Sequence, residues 1–459
     1  MSVQAPPKRP APDTARAPLP DGPRGGLRRL AEFRRDRLRF LERCAREWGD
    51  FVPIRSARRL WIVINHPSLI EELFVTQNRA MRKPKALGLA EMVLGEGVLL
   101  SEGELWHRQR RTMQPAFHQQ HIEACVAEMA GATERMLRRW RDGQRLDIRA
   151  ESGRLMLEIV AKALFGADVS ADAEQLESEF AAIAAIFSER MNWPPMAFLS
   201  RLPTPKNRLV LRAVAHLDEV IDRIVRGRQD SGPEHRDLLS ILLAAKAEQG
   251  SPITGKLLRD EIATMLVAGH ESSADALGWT VYLLAQHPEA ETRIKAEAKT
   301  VLGGRPATAA DVPKLDYTNM VVKESLRLYP PGWAFGRTLV ENSQLGGFAV
   351  PKGAFVFASP WVVHRDARWY ADPLAFKPER WASDESARLP KFAFFPFGGG
   401  QRMCIGHAFA ITELAVVLAT IVPRFHLSLV PDHPVVPLPT NTLRPRYGIH
   451  VVAQSREAR

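Results

Sequence analysis

The chain has 459 residues, 45% hydrophobic and 25% charged, with a formal net charge of +11. This is ordinary globular composition with ample length for a large core. Three scattered cysteines, Cys44, Cys125 and Cys404, exclude a disulfide framework and a structural zinc site and point to a reducing compartment.

Residues 1–26 are rich in Pro, Arg and Ala and lack the apolar segment of a secretory signal. They read as a disordered tail ahead of a single domain over 27–459. Residues 27–48 read as one basic amphipathic helix, with Leu27, Leu30, Phe33, Leu38, Leu41, Cys44 and Trp48 near one face. Such a stripe marks a first helix packed on the body more often than a membrane-docking one. "FVPIRSARRLWIVIN" reads as a β-hairpin, and "HPSLIEELFV" starts a helix with Pro67 in its first turn.

From Gly103 to about Thr300 the pattern is mainly helical, broken by the proline-rich "NWPPMAFLSRLPTPKNR". Residues 256–287 form the longest expected helix, apolar and rich in small residues at its middle, as befits a buried central element. After Pro330 come short strands and loops, with "FAVPKGAFVFAS" strand-like, and the run after Cys404 is helical up to Pro423. There is no internal repeat, and no apolar stretch reaches the about 18 residues of a membrane span. The expectation is one large, mostly α domain with small β-sheets.

Three familiar motifs fail at a defining position. "GGGQR" is not part of a phosphate loop, because Leu257 follows the only Gly-Lys pair that fits, Gly255-Lys256. "HESSA" has Ala274 where a zinc motif needs its second His. "HRD", His364 to Asp366, has Ala371 in place of the metal-binding Asn of a kinase loop. The basic excess is spread along the chain without a zinc-finger, RNA-recognition or helix-turn-helix pattern, so no nucleic-acid partner is expected.

One constellation holds. "FGGGQRMCIG", residues 397–406, places a cysteine in a glycine-rich loop just ahead of a helix. A thiolate ligand to haem iron needs backbone that approaches a flat macrocycle, N–H donors aimed at sulfur, and a helix N-terminus that favours negative charge. Phe397, Gly400, Arg402, Cys404 and Gly406 fit F-x-x-G-x-R-x-C-x-G, and this stretch resembles the haem-binding loop of cytochrome P-450 enzymes. Three further segments match in family order. "ESLR" (Glu324 to Arg327) with the later "FKPERW" supplies Glu324, Arg327 and Arg380. "WHRQRR" supplies Trp106 and Arg110. "AGHESS" supplies Ala268, Gly269, Glu271 and Ser272.

The resemblance, which spans roughly residue 28 to the end, implies the P-450 fold, with haem between the long central helix and the Cys404 loop. It implies haem b with the Cys404 thiolate as proximal iron ligand. Phe397 would pack beside the sulfur with Gly406 in the same loop, and Trp106, Arg110, Arg337 and Arg402 would reach the propionates. Glu324, Arg327 and Arg380 would form a structural triad. Gly269, beside Ala268, would let the central helix approach the haem and widen locally. Glu271 and Ser272 would route protons to dioxygen, with Ser272 replacing the usual threonine and losing its β-branch.

The implied activity is that of an oxidoreductase, a monooxygenase acting on a lipophilic small molecule, terpenoid or fatty-acid-like, with O₂. Electrons would come from a separate ferredoxin or flavoprotein, docked on basic residues near Arg108, Arg111 and Arg402. The alternatives are a peroxide-using or rearranging haem-thiolate enzyme and a haem-based gas sensor. Substrate contacts are expected from residues 84–100, 180–205, Trp333 to Phe335 and Thr440 to Leu443, including Leu87, Leu89, Met92, Ile186, Phe187, Met191 and Phe198. A cytoplasmic monomer without a transmembrane anchor is expected.

Overall fold

Asp36 interrupts what the sequence pattern presents as one N-terminal helix. Helices α1 (Gly26–Arg35) and α2 (Arg37–Trp48) meet at its extended backbone, and its carboxylate caps α2 by accepting the Arg39 N–H at 3.0 Å. The computed structural model describes residues 17–456, except 24, 57–58, 85–87, 193–201, 203, 231–236, 249–254 and 383–385. Leu38, Phe40, Leu41 and Cys44 of α2 are buried in one cluster with Ile54, Val63 and Trp361, so the apolar stripe is a core face.

Part of the tail expected over 1–26 packs on the fold. Ala17 bridges to Phe348, Leu19 packs on a buried apolar cluster, and Pro23 is buried. Apolar contact and sheet pairing hold this stretch, while residues 1–16 lie outside the described residues.

Five strands form the larger sheet: β1 (Phe51–Ser56), β2 (Arg59–Ile64), β3 (Met81–Arg82), β5 (Phe335–Leu339) and β8 (Phe355–Ala358), in the order β1-β2-β8-β5-β3. Only β2 and β8 run parallel. "FAVPKGAFVFAS" is two strands in two sheets, because the chain turns between them through Gly353 at φ +84°. Its first strand, β7 (Phe348–Val350), pairs with β6 (Ser343–Leu345). A second sheet joins β4 (Gln144–Asp147), β12 (His450–Ser455) and β9 (Phe425–Leu429), and β10 (Pro437–Pro439) pairs with β11 (Leu443–Pro445).

The remaining helices are α3 (Pro67–Glu71), α4 (Gly88–Leu94), α5 (Gly103–Met113), α6 (Gln119–Leu137), α7 (Ile148–Phe165), α8 (Ala173–Asn192) and α9 (Pro205–Asp230). They continue as α10 (Leu238–Glu248), α11 (Gly255–Leu284), α12 (Pro288–Leu302), α13 (Asp316–Leu328), α14 (Pro360–Val363) and α15 (His407–Ile421). The main core gathers Met129, Leu157, Leu266, Val321 and Val417 from α6, α7, α11, α13 and α15. Each such side chain contributes about 1.5–3 kcal/mol on burial. Helix α11 is buried along nearly its whole length and forms the axis of the domain. No described helix is long and apolar enough to cross a membrane.

Candidate active site

The cysteine loop is shaped by its glycines. Gly398 and Gly400 have φ of +71° and +64°, and a Cβ on Gly400 would stand 2.0 Å from the Phe74 carbonyl oxygen. Phe74 lies in a π-helical turn, Glu72–Thr76, that packs on the Gly400–Arg402 turn. The close approach that requires glycine is therefore to Phe74. At Gly406 a Cβ would meet only the Phe117 ring, at 3.6 Å.

The Cys404 N–H donates to the Phe397 carbonyl at 3.0 Å, which closes the loop, and α15 begins three residues later. The Phe397 ring stands edge-on to His407 at 6.1 Å. Cys404 lines a cavity of about 530 Å³ between α5 and the loop, within the ~300–1,000 Å³ of ligand pockets. Although the residue is open to that cavity, the surrounding protein pushes its thiol upward from the ordinary value. The Gly406 N–H and the Arg110 charge act in the opposite direction.

Trp106 and Arg110, one turn apart on α5, line the same cavity with Gln114, Phe117 and His118. Arg402 lies with its guanidinium 4.0 Å over the Trp106 ring and pairs with Glu102. Arg337 is buried, donates to the Gly336 carbonyl at 2.8 Å and sits 5.6 Å over the Phe74 ring. Arg82 and Lys83 lie beside this group: Arg82 stands 3.9 Å from Glu102, and the backbone N–H of Lys83 donates to Glu102 at 2.9 Å while its ammonium donates to the Val98 carbonyl at 3.3 Å. Burial, then the Arg402 charge, brings Lys83 down to about 7, and burial brings Arg402 down to about 10.

Arg402 and Arg82 thus pair with Glu102, the charges of Lys83 and Arg337 lie near it, and Glu261 of α11 is a further acid near Lys83. Arg337 and Arg402 have one nearby carboxylate between them, Glu102, which leaves positive charge in this region for the anionic propionates of a haem to balance. Together with a cavity lined by Cys404, Trp106 and Arg110, this donor set fits the group. Sequence reasoning missed Arg82, Lys83 and Glu102. Glu102 lies in the stretch just before Trp106, but nothing local ties Lys83 to Arg402. The same pairing withdraws Arg402 from the expected docking face, while Arg108 and Arg111 are exposed.

On α11, Val267, Ala268, Gly269 and Ser272 are partly open in a helix otherwise buried through its middle. Ser272 Oγ donates to the Ala268 carbonyl at 2.9 Å. The expected widening at Gly269 is not found: α11 is α-helical throughout, and a Cβ on Gly269 would meet Val160 of α7 at 3.0 and 3.2 Å. This glycine allows close packing of α11 on α7. Glu271, a helical step of about 100° from Ser272, is buried and accepts from Asn441 Nδ2 at 2.6 Å. Burial, then the Asp275 charge, raises its pKa.

Behind the loop, Glu324, Arg327 and Arg380 meet. Glu324 is fully buried and accepts from Arg327 (2.8 Å, twice), Arg380 Nε (2.9 Å), the Lys377 N–H (2.9 Å) and Trp381 Nε1 (2.9 Å). Arg327 spends its remaining donors on the carbonyls of His364, Pro373 and Ala375. Every lone pair and N–H of the ion pair is engaged, as a buried pair requires.

Of the expected substrate contacts, Leu89, Met92, Ile186 and Phe187 fall in one small apolar cluster with Val210. Trp333 meets the Thr440 carbonyl through its indole N–H at 2.9 Å. Leu87, Phe198 and the Met191 side chain lie outside the described residues.

The sequence profile of the family described as cytochrome P450 matches residues 25–452. The cyclooctat-9-en-7-ol 5-monooxygenase of Streptomyces melanosporofaciens is 36% identical over 387 residues, covering 83% of each chain. Cyclooctatin synthase of the same organism is 34% identical over 397 residues, 86% of each chain. Pentalenene oxygenase of Streptomyces avermitilis is 32% identical over 397 residues, 86% of this chain and 88% of its own.

Proposed function

This chain belongs to the cytochrome P450 family of haem-thiolate monooxygenases, and from that premise we propose that it oxygenates a terpenoid-like hydrocarbon skeleton, with Cys404 as the iron ligand and electrons delivered by a separate protein. The single observation that carries the assignment of Cys404 is its place in the wall of one cavity with Trp106 and Arg110. When bound, the haem supplies the iron at which O₂ is reduced, one oxygen atom passing to substrate and the other to water.

The chain's own residues do the rest. Trp106, Arg110, Arg337 and Arg402 would hold the propionates. The Gly406 N–H and the N-terminus of α15 favour the thiolate form of Cys404. Glu324, Arg327 and Arg380 keep the loop's support rigid. Ser272 Oγ, its own proton committed to the Ala268 carbonyl, would accept a hydrogen bond from water, and Glu271, whose acid form is favoured by burial, lies one residue away.

The relatives named for cyclooctat-9-en-7-ol and pentalenene support a terpenoid substrate class. The apolar cluster of Leu89, Met92, Ile186 and Phe187 supports a lipophilic one. Arg108 and Arg111 are the exposed cations on α5 that an acidic electron donor would meet.

The test is the absorption spectrum of the reduced protein with carbon monoxide, beside Cys404→Ala. A strongly red-shifted Soret band lost in the variant is the expected result. A band like that of a histidine-ligated haem overturns the Cys404 assignment.

A further inference from the structure

Strands β10 and β11 have three residues each and are edged by prolines, so their ladder alone gives the turn between them little support. Other parts of the fold hold it. Trp333 Nε1 donates to the Thr440 carbonyl at 2.9 Å and Trp279 Nε1 to the Leu443 carbonyl at 2.7 Å. The Leu443 N–H donates to the Pro331 carbonyl at 2.9 Å. Both indoles are buried, which fixes the height of the turn over α11.

At the tip of the turn, Asn441 Nδ2 donates to Glu271 Oε2 at 2.6 Å, and Thr442 Oγ1 stands 3.4 Å from Oε1. The two carboxylate oxygens therefore have different neighbours: a committed N–H donor on one, and a hydroxyl, able to accept as well as donate, beside the other. The charges facing Glu271 come from three elements: Asp275 and His270 on α11, Arg149 on α7, and Arg444 on β11.

We propose that Asn441 is a positioning residue for Glu271, its amide holding Oε2 as the accepting oxygen so that the acid's proton resides on Oε1, beside the Thr442 hydroxyl. The proposal rests on Glu271 being the acid of the α11 pair, and it goes beyond that reading by making the 440–442 turn the holder of the acid. Anything that shifts the turn then shifts a proton-bearing group 170 residues away in sequence. Burial and Asp275 favour the protonated acid, while a donated N–H favours the carboxylate, so Asn441 restrains how far the pKa climbs.

The experiment is an infrared pH titration of the haem-loaded enzyme, following the protonated-carboxyl band that is absent in Glu271→Gln. In Asn441→Ala the midpoint of that band is expected about one pH unit above wild type, the shift that loss of one hydrogen bond to a carboxylate produces. Asn441→Gln, which keeps the donor, restores part of the shift. An unchanged midpoint in Asn441→Ala with a wild-type melting temperature overturns the proposal. So does the absence of any band lost in Glu271→Gln, since Glu271 would then hold no proton. If Asn441→Ala does not fold, Asn441→Ser serves in its place, with the same two outcomes. A wild-type protein lacking the thiolate-type carbon monoxide spectrum sinks the Cys404 assignment instead, and the infrared titration still decides this one.

Discussion

Phe395 donates its backbone N–H to His364 Nε2 at 3.0 Å, while Nδ1 of the same ring faces the Arg327 carbonyl at 3.2 Å. One nitrogen must accept and the other must donate, so the ring is neutral with its proton on Nδ1. His364 thereby ties α13, which carries Glu324 and Arg327, to the segment that runs into the Cys404 loop.

Burial and the Arg327 charge hold the His364 pKa well below 6.5. The folded state then binds fewer protons at this site than the unfolded chain. Its contribution to stability is present above about pH 6.5 and is lost progressively as pH falls below it. Denaturant titrations at stepped pH should show this acid limb in wild type and a shallower one in His364→Gln. At pH 7.5, His364→Gln should cost about 1–3 kcal/mol. Equal slopes below pH 6.5 would refute the neutral-ring assignment.

Gly400→Ala sets a β-carbon against the Phe74 carbonyl at a positive φ. Backbone oxygen cannot yield as a flexible side chain can, so the loop or the Glu72–Thr76 turn must shift. A cost above about 1 kcal/mol is expected, with faster transfer of haem to an acceptor apoprotein. Gly406→Ala, whose β-carbon would make ordinary contact with Phe117 at 3.6 Å, is the matched control. Equal haem-transfer rates in the two variants would count against the loop packing described here.

Glu413 of α15 is wholly buried near Ser273 of α11, without a well-formed hydrogen bond. Burial raises its pKa to about 8. The folded state here binds the extra proton, so the sign is opposite to that of His364. Stability falls as pH climbs from the unfolded value near 4.5 to about 8, by on the order of a few kcal/mol. Glu413→Gln should flatten this alkaline limb, with little change at low pH. A steeper limb in the variant would show that Glu413 is stabilised as a carboxylate.

The contrast among these residues shows what could be read in advance. Glu324 and Arg327 stand three apart on one helix, so their meeting was a local expectation, but their burial with Arg380, like the role of Cys404, was implied by the family resemblance and not by spacing. His364 sits in a segment that resembles a failed kinase loop, and its link to Phe395 spans 31 residues. Lys83 and Glu102 join Arg402 across roughly 300 residues. Such contacts depend on which faces the fold brings together, and no periodicity reports that. At Gly269 the motif was visible, while its close packing against Val160 of α7 is shown by the structure alone. Asp36 broke a helix whose apolar stripe continues across it, because a cap is a local hydrogen bond that the stripe does not encode.

Ser272 supplies the last prediction. Its hydroxyl proton is committed to the Ala268 carbonyl, which leaves the oxygen lone pairs as the functional part. Ser272→Ala removes that acceptor but disturbs little packing, since the side chain is only partly buried. The variant should keep haem and substrate binding, yet release more of its electrons as hydrogen peroxide, with product per electron pair falling by about tenfold or more. Ser272→Thr restores the hydroxyl and adds the methyl that restricts χ1. It should couple at least as tightly as wild type if a fixed oxygen is what proton handling needs. Peroxide yield and product yield, measured together with the same electron donor, separate the cases. A Ser272→Ala enzyme with wild-type coupling would transfer the role to water held by Glu271, and a Ser272→Thr enzyme that couples worse would mean the serine's rotational freedom is itself used.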